Sequence, residues 1–254
     1  FILLLISCSI LAFWPGITGP FLFDDSANLS PMQKNGGIKD TASLAAYIFN
    51  DIASAFGRPI SYLSFTINSQ TWPAEPYAFK STNILLHALN SIIIFSLCFM
   101  LFSKIGHQQR HTALSIAFLT ALFWAIHPIQ NSTVLYVVQR MSELSALFIF
   151  SGVLSYIHGR INFNHNSGAA YTWMSCGVVI FGGLAFLSKE NGVLLPLLIL
   201  VIEVTLLSNI QRPKYWRYWA IPFIAIPLTI IAIYFGTIIN NSTAHYVSRD
   251  FTLY

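Results

Sequence analysis

An all-α polytopic membrane protein, a bundle of about seven transmembrane helices with a long first outer loop, is what the sequence predicts, on three observations. Hydrophobic residues make up 55% of the 254-residue chain and charged residues only 9%, against roughly 25% charged in an average soluble domain. Apolar runs approaching the roughly 20 residues that cross a hydrocarbon core recur along the chain. The few cations are unevenly divided between successive loops. Water-soluble classes are excluded, because so few polar side chains cannot cover so much apolar surface.

Seven apolar segments follow in order. Residues 1–14 (FILLLISCSILAFW) read as the outer part of a first helix that Pro15 ends. Because the chain opens on Phe1 inside that run, it is expected to be a fragment; a cleaved signal peptide lacks its basic stretch and small-residue cleavage site here. Further segments lie at 83–102, 112–126, 134–157, 172–187, 191–207 and 219–239. Pro196, Pro222 and Pro227 fall inside the last two, where neighbouring helices can satisfy the freed carbonyls. Gly182 with Gly183, and Ser142 with Ser145, mark expected points of close helix approach. Cys8, Cys98 and Cys176 are far apart and odd in number, so they read as small buried hydrophobes, neither a disulfide framework nor a zinc site.

Lys and Arg are retained on the cytoplasmic side of short loops, which orients the bundle. With the first helix running outward, the inner loops hold Lys104, Arg110, Arg160, Arg212, Lys214 and Arg217 and no acid. The outer segments hold Lys34, Lys39, Arg58, Lys80, Arg140, Lys189 and Arg249 with Asp24, Asp25, Asp40, Asp51, Glu75, Glu143, Glu190 and Asp250. The net charge of +4 is therefore a topological signal, and no nucleic-acid partner is expected. The outer segment 15–82 is too long for a connector and holds amphipathic stretches such as SLAAYIFNDIASAF. One or two surface helices are expected there, with Trp72, Tyr77 and Phe79 at headgroup level.

Five constellations could carry chemistry. In FDDSANL, residues 23–29, adjacent Asp24 and Asp25 follow the first helix closely; like charges so near one another raise one pKa, as a general base or a metal ligand requires. The alternative is a solvated turn with Asp25 as N-cap. In GRPISYLSF, residues 57–65, Arg58 offers paired donors to a phosphate, or to a lipid headgroup nonspecifically. Asn83, His87 and Asn90 share one face of a membrane helix, which points inward to a cavity or to partner helices. In HPIQNSTVLYVVQRMSELSALF, residues 127–148, Arg140 and Glu143 are spaced to pair with each other, and His127 reads as a loop residue. In FLSKENGVLLPLL, residues 186–198, Lys189 and Glu190 read as the tip of an outer hairpin. The set suits an anionic lipid-linked substrate: cations for a phosphate, an apolar groove for its tail, and a carboxylate to activate an acceptor hydroxyl.

The first helix with FDDSANL resembles the GT-C glycosyltransferases. GRPISYLSFTIN with FKSTNILLHALN, then HPIQNSTVLYVVQRMSELSALF, then LSKENGVLLPLL, are similar in order and spacing to the TMTC-type (transmembrane and tetratricopeptide-repeat) O-mannosyltransferases and their bacterial relatives, over residues 1–208. The resemblance implies a partial GT-C transmembrane domain over 1–254, with the acidic motif in 15–82 and a downstream repeat domain absent from this chain. It implies a hexosyltransferase that moves a sugar, mannose among the candidates, from a polyprenyl-phosphate donor to a hydroxyl of a protein, lipid or glycan acceptor. Transfer is inverting, on the lumenal or periplasmic face of the endoplasmic reticulum or bacterial inner membrane. By position, Asp24 and Asp25 match the catalytic acidic motif, with Asp25 the expected base and the pair the expected ligands of a divalent metal if one is used. Arg58, Arg140 and Lys189 are expected at the substrate phosphate, with His87, Glu143 and Glu190 in support.

Two other classes fit the composition. A transporter or flippase for a lipid-linked substrate would need inverted repeats and charges at mid-helix. A non-catalytic membrane anchor would leave the long outer segment and its convergent charges unexplained. The asparagines of NLS, NST and NNST (Asn28, Asn131, Asn240, Asn241) fall outside, but such short sequons arise by chance.

Overall fold

The computed structural model describes residues 1–49, 57–164 and 166–248. The protein is an all-α membrane protein, 79% helical, with no strand among the described residues. Asp51, Arg249 and Asp250, and residues 50–56 of the amphipathic stretch, lie outside the described residues. Two compact units divide the chain, Phe1–Leu195 and Pro196–Tyr254.

The first unit opens with α1 (Ile2–Phe13). The segment after it holds α2 (Asp25–Leu29), a 3-10 stretch Ser30–Gly36, α3 (Thr41–Phe49) and α4 (Pro59–Thr66). α5 (Pro76–Met100) begins with a proline at its first position, where the missing N–H costs nothing, after Glu75 in extended backbone. α6 (Arg110–Ala125) and α7 (Gln130–Leu135) follow, then a 3-10 turn Val137–Gln139 that leads into α8 (Arg140–Ile161). α9 (Ser167–Cys176) and α10 (Gly182–Ser188) are joined by a π-helical turn into one run.

The predicted apolar segments are largely helical, though 134–157 is broken at Tyr136, which is in extended backbone between α7 and the 3-10 turn. Among the described residues four helices are long and apolar enough to cross a membrane: Pro76–Ile105, Val137–Ile161, Ser167–Ser188 and Trp216–Thr237. α1, α6 and α11 (Leu195–Thr205) are shorter, at 12, 16 and 11 residues. In the second unit, α12 (Trp216–Ala220) and α13 (Ile226–Ser248) follow. There Glu203 is fully buried and meets Arg212 at 3.3 Å, while the Arg212 guanidinium lies 4.7 Å from the Trp216 ring centre.

Three expectations need correction. α5 starts seven residues before its apolar run, because Pro76 sets its first turn and Lys80 donates to the carbonyls of Gly19 (2.9 Å) and Gly16 (3.4 Å), which allows a cation to be buried there. Phe79 is consequently no headgroup residue; it is fully buried in a cluster with Leu29, Met32, Tyr62, Phe65 and Met141. Close helix approach falls at glycines other than Gly182 and Gly183, which have space around them. A Cβ on Gly152 of α8 would stand 2.7 Å from the carbonyl oxygen of Gly177, so α8 and the run after it meet backbone to backbone. On α6 the close-approach surface is alanine: Ala113, Ala117, Ala121 and Ala125, four residues apart, are all fully buried. The three cysteines are free and partly buried, in keeping with their reading as small hydrophobes.

Candidate active site

The acidic pair divides. Asp25 opens α2 and is fully buried. Its Oδ2 accepts the Leu22 N–H at 2.8 Å and its Oδ1 accepts the Val138 N–H at 2.8 Å, which fastens the loop after α1 to the turn before α8. Burial raises the Asp25 pKa above its usual 3.8, against the lowering effect of the backbone amides of Leu22, Val138 and Val137; the neighbouring Asp24 charge adds to the rise. Asp24 sits at the cap position of α2 without a capping bond, its side chain exposed. Its backbone N–H donates to the Tyr136 hydroxyl at 3.2 Å. Asp24 is thus the accessible carboxylate and Asp25 the buried one. The alternative of a solvated turn with Asp25 as N-cap is not what the structure has: Asp25 is buried and its carboxylate accepts from Leu22 and Val138.

This division also bears on a metal. Both Asp25 oxygens already accept backbone N–H groups, so the pair presents one open carboxylate, and among the described residues no group of three or more His, Cys, Asp or Glu side chains converges. Such a donor set does not fit a bound divalent cation.

Lys189, Glu190 and Arg58 meet. α10 ends at Ser188, whose carbonyl accepts the Ser61 hydroxyl of α4 at 2.8 Å, and Lys189 follows in extended backbone. A 3-10 turn, Glu190–Leu194, then leads into α11. Gly192 is needed there, because a Cβ would collide with the carbonyl carbon of Ala185. Arg58, at the cap position of α4 just before Pro59, directs its Nε at Glu190 Oε1 (3.1 Å) and Oε2 (3.3 Å) and its Nη1 at Met141 Sδ (3.2 Å). Lys189 Nζ donates to the Ser142 hydroxyl at 2.6 Å, and Ser142 in turn donates to Gln139 at 2.7 Å. The Lys189 pKa is lowered, first by burial and then by the Arg58 charge, while Glu190 and Asp24 act to raise it. The Asp24 charge thus acts on Lys189 as well, and one partly open charged cluster holds Arg58, Lys189 and Glu190.

Arg140, Glu143 and His87 are placed otherwise. Arg140 is fully buried and donates to Asn83 Oδ1 (2.7 Å), the Ser64 carbonyl (2.9 Å) and the Phe79 carbonyl (2.8 Å). The Phe65 and Phe79 ring centres lie 5.0 Å and 5.6 Å from its guanidinium carbon. With its fork engaged on three oxygens it ties α4, α5 and α8 together, and a phosphate contact is not among the bonds it makes. The hydrogen-bonded pair with Glu143 that the spacing allows does not form; among the described residues the buried Glu143 carboxylate has no hydrogen-bond partner. The polar face of α5 turns to partner helices: Asn83 Nδ2 donates to the Val134 carbonyl (3.1 Å), Asn90 Nδ2 to the Glu143 carbonyl (3.0 Å), and His87 Nε2 meets the Ala125 carbonyl (2.8 Å). His87 also stacks on Trp124, with ring centres 4.7 Å apart. His127 is an exposed loop residue. Asn28 is no open glycosylation acceptor, since its amide donates to the Asp24 carbonyl at 2.8 Å and its Oδ1 accepts the Tyr62 hydroxyl at 2.9 Å.

Sequence reasoning missed Tyr136, which touches Asp24 through its hydroxyl, and Ser142, which holds Lys189. Their nearness to the charged blocks was the only signal. It also missed the Glu203 to Arg212 pair, whose nine-residue separation matches no helical spacing.

With this geometry in place, comparison with known proteins gives a consistent answer. Human protein O-mannosyl-transferase TMTC4 is 27% identical over 198 residues, covering 74% of this chain and 27% of that protein. Human TMTC1 of the same name is 27% identical over 222 residues, 82% of this chain and 24% of its own. The Caenorhabditis elegans protein O-mannosyl-transferase F38B6.6 is 24% identical over 205 residues, 76% of this chain and 26% of its own. These relatives are protein O-mannosyl-transferases by name. They are the group that the four ordered sequence blocks resemble. The chain spans about a quarter of the length of these relatives. No family model matches the chain, and no solved structure matches it.

Proposed function

We infer that this chain is the acidic-loop portion of a membrane glycosyltransferase, which moves a hexose, mannose by analogy with the relatives' names, from a polyprenyl-phosphate donor to a hydroxyl of a protein acceptor. Transfer takes place on the lumenal or periplasmic face. The observation that carries the reading is the exposed Asp24 carboxylate within electrostatic reach of Lys189, both fixed in place by buried neighbours.

The chemistry follows from that placement. Asp24 accepts the proton of the acceptor hydroxyl as its oxygen attacks the anomeric carbon; the bond from that carbon to the phosphate oxygen breaks, with inversion. Lys189 stabilises the charge that develops on the departing polyprenyl phosphate. Arg58 shares this task to the extent that phosphate displaces Glu190 from its guanidinium. Asp25 positions the loop and touches no substrate. No step requires a metal from this set of ligands.

Replacing Asp24 by Asn in the full-length protein, and measuring mannose transfer from a polyprenyl-phosphomannose donor, tests the reading. Transfer is expected to fall by a factor of roughly 10² to 10⁴, the usual contribution of a general base. Undiminished transfer sinks the assignment.

A further inference from the structure

Beside the exposed carboxylate stands a residue that the mechanism above leaves without a task. Phe23 has φ +42°. Among the described residues only one other non-glycine residue, His107, has positive φ. Histidine tolerates that region comparatively well, whereas a bulky aromatic there is an outlier. Burial does not offset the strain, since Phe23 is 88% exposed, the most exposed large hydrophobic among the described residues.

Four hydrogen bonds bracket the residue. Asp25 N–H donates to the Leu22 carbonyl at 2.9 Å, and Leu22 N–H donates back to Asp25 Oδ2 at 2.8 Å. Val138 N–H holds Asp25 Oδ1, and Asp24 N–H is bound to the Tyr136 hydroxyl. The Phe23 ring meets the Tyr136 ring edge to face, with centres 5.7 Å apart at 68°. One buried carboxylate thus forces two neighbouring groups outward together, an acid and an aromatic ring. Backbone strain of this kind persists where the surroundings over-determine it, and it clusters at ligand contacts.

We propose that Phe23 is a sugar-contact residue of the site, whose open ring face packs on the C–H face of the donor hexose and thereby sets affinity for the sugar-bearing lipid. This rests on the glycosyl-transfer reading. In an inverting displacement the attacking hydroxyl with its base and the leaving phosphate lie on opposite sides of the anomeric carbon. The lipid tail continues from the phosphate, on the Lys189 side, so a ring adjacent to Asp24 faces the hexose and not the tail. A hexopyranose presents several C–H groups on one face, and an aromatic ring with its negatively polarised face complements them.

The left-handed backbone makes the test clean. Glycine adopts φ +42° freely, so Phe23→Gly removes the ring and leaves the loop's conformation intact. In the full-length protein the dissociation constant for polyprenyl-phosphomannose is expected to rise roughly three- to tenfold in Phe23→Gly and in Phe23→Leu. Phe23→Trp and Phe23→Tyr should stay within about twofold of wild type, and the dissociation constant for the sugarless polyprenyl phosphate should not change in any variant. Equal weakening of both lipids assigns the ring to the lipid and overturns the proposal. So does full retention by Phe23→Leu, which would mean generic apolar contact, and so does an effect confined to the acceptor KM. Wild-type transfer that proceeds normally while Phe23→Gly binds donor unchanged defeats this inference alone. Failure of the wild-type protein to bind the sugar-bearing lipid better than the sugarless one defeats the glycosyl-transfer reading, and this inference with it.

Discussion

Asp24 and Asp25 are adjacent and chemically identical, yet their substitution by Asn should have opposite consequences. In Asp25→Asn one carboxylate oxygen becomes an amide NH₂, so either the Leu22 N–H or the Val138 N–H, each at 2.8 Å from its acceptor now, faces a donor. Losing one charge-assisted bond to a buried amide and leaving that amide unpaired costs about 2–3 kcal/mol. At roughly 2–4 °C per kcal/mol for a chain of this size, the unfolding midpoint should fall by about 4–12 °C. Among the described residues Asp24 has no such bonds from its exposed side chain, and Asp24→Asn should stay within roughly 0.5 kcal/mol of wild type while transfer collapses. Thermal unfolding in detergent, read beside mannose transfer per mole of folded protein, separates the two. A pH series adds a sign. Since burial holds Asp25 above 3.8, the folded chain binds that proton more tightly than the unfolded chain. Its contribution is therefore full below 3.8 and is lost as pH rises through the raised value, a slope that Asp25→Asn should abolish. Equal destabilisation by both substitutions, or a stable but inactive Asp25→Asn beside an active Asp24→Asn, would refute the division of roles.

Other substitutions test the surrounding frame. Arg140→Met leaves three buried oxygens without their donor and should cost at least about 3 kcal/mol; Arg140→Lys should rescue little, because an ammonium cannot reproduce the fork. If Arg140→Lys keeps its unfolding midpoint but weakens donor binding, Arg140 is a phosphate contact after all. Gly192→Ala drives a methyl into the Ala185 carbonyl and should destabilise by about 1–3 kcal/mol, visible as a lower midpoint and displaced Lys189 chemistry. The Lys189 pKa lies below 10.5 in the folded chain, so donor affinity should fall as pH rises through that lowered value, whereas Lys189→Arg should hold affinity to higher pH. Stability moves the other way, rising with pH between the lowered value and 10.5, because the unfolded chain keeps that proton longer.

Much of this was legible in the sequence. Scarce charge and recurrent apolar runs established an all-α membrane protein, and the order of four blocks matched the relatives that comparison returns. Burial within a charged block was less accessible. Arg58, Arg140 and Lys189 look alike in sequence, each a cation in an apolar setting. Only the fold shows that Arg140 faces Asn83 and two backbone carbonyls while Lys189 meets the Ser142 hydroxyl beside the Arg58–Glu190 pair. The start of α5 was missed for a related reason. Apolar periodicity could not count Lys80 as helical, because the carbonyls of Gly16 and Gly19 that bind it come from another segment.

The polar residues of the first unit therefore separate by what binds them. Asn83, His87, Asn90, Lys80, Asp25 and Arg140 each meet backbone groups from a different part of the chain, which is how a membrane bundle of small apolar contacts acquires a fixed register. Arg58, Lys189 and Glu190 meet chiefly other ionised or hydroxyl side chains, and partners of that kind can be exchanged for a substrate. A backbone carbonyl cannot leave its helix to make room for a phosphate; a glutamate or a serine hydroxyl can rotate away. On the proposed reading, the second set is where substrate enters. The strained Phe23, held at its edge by a member of the first set, is the point at which the rigid frame imposes its geometry on the exchangeable site.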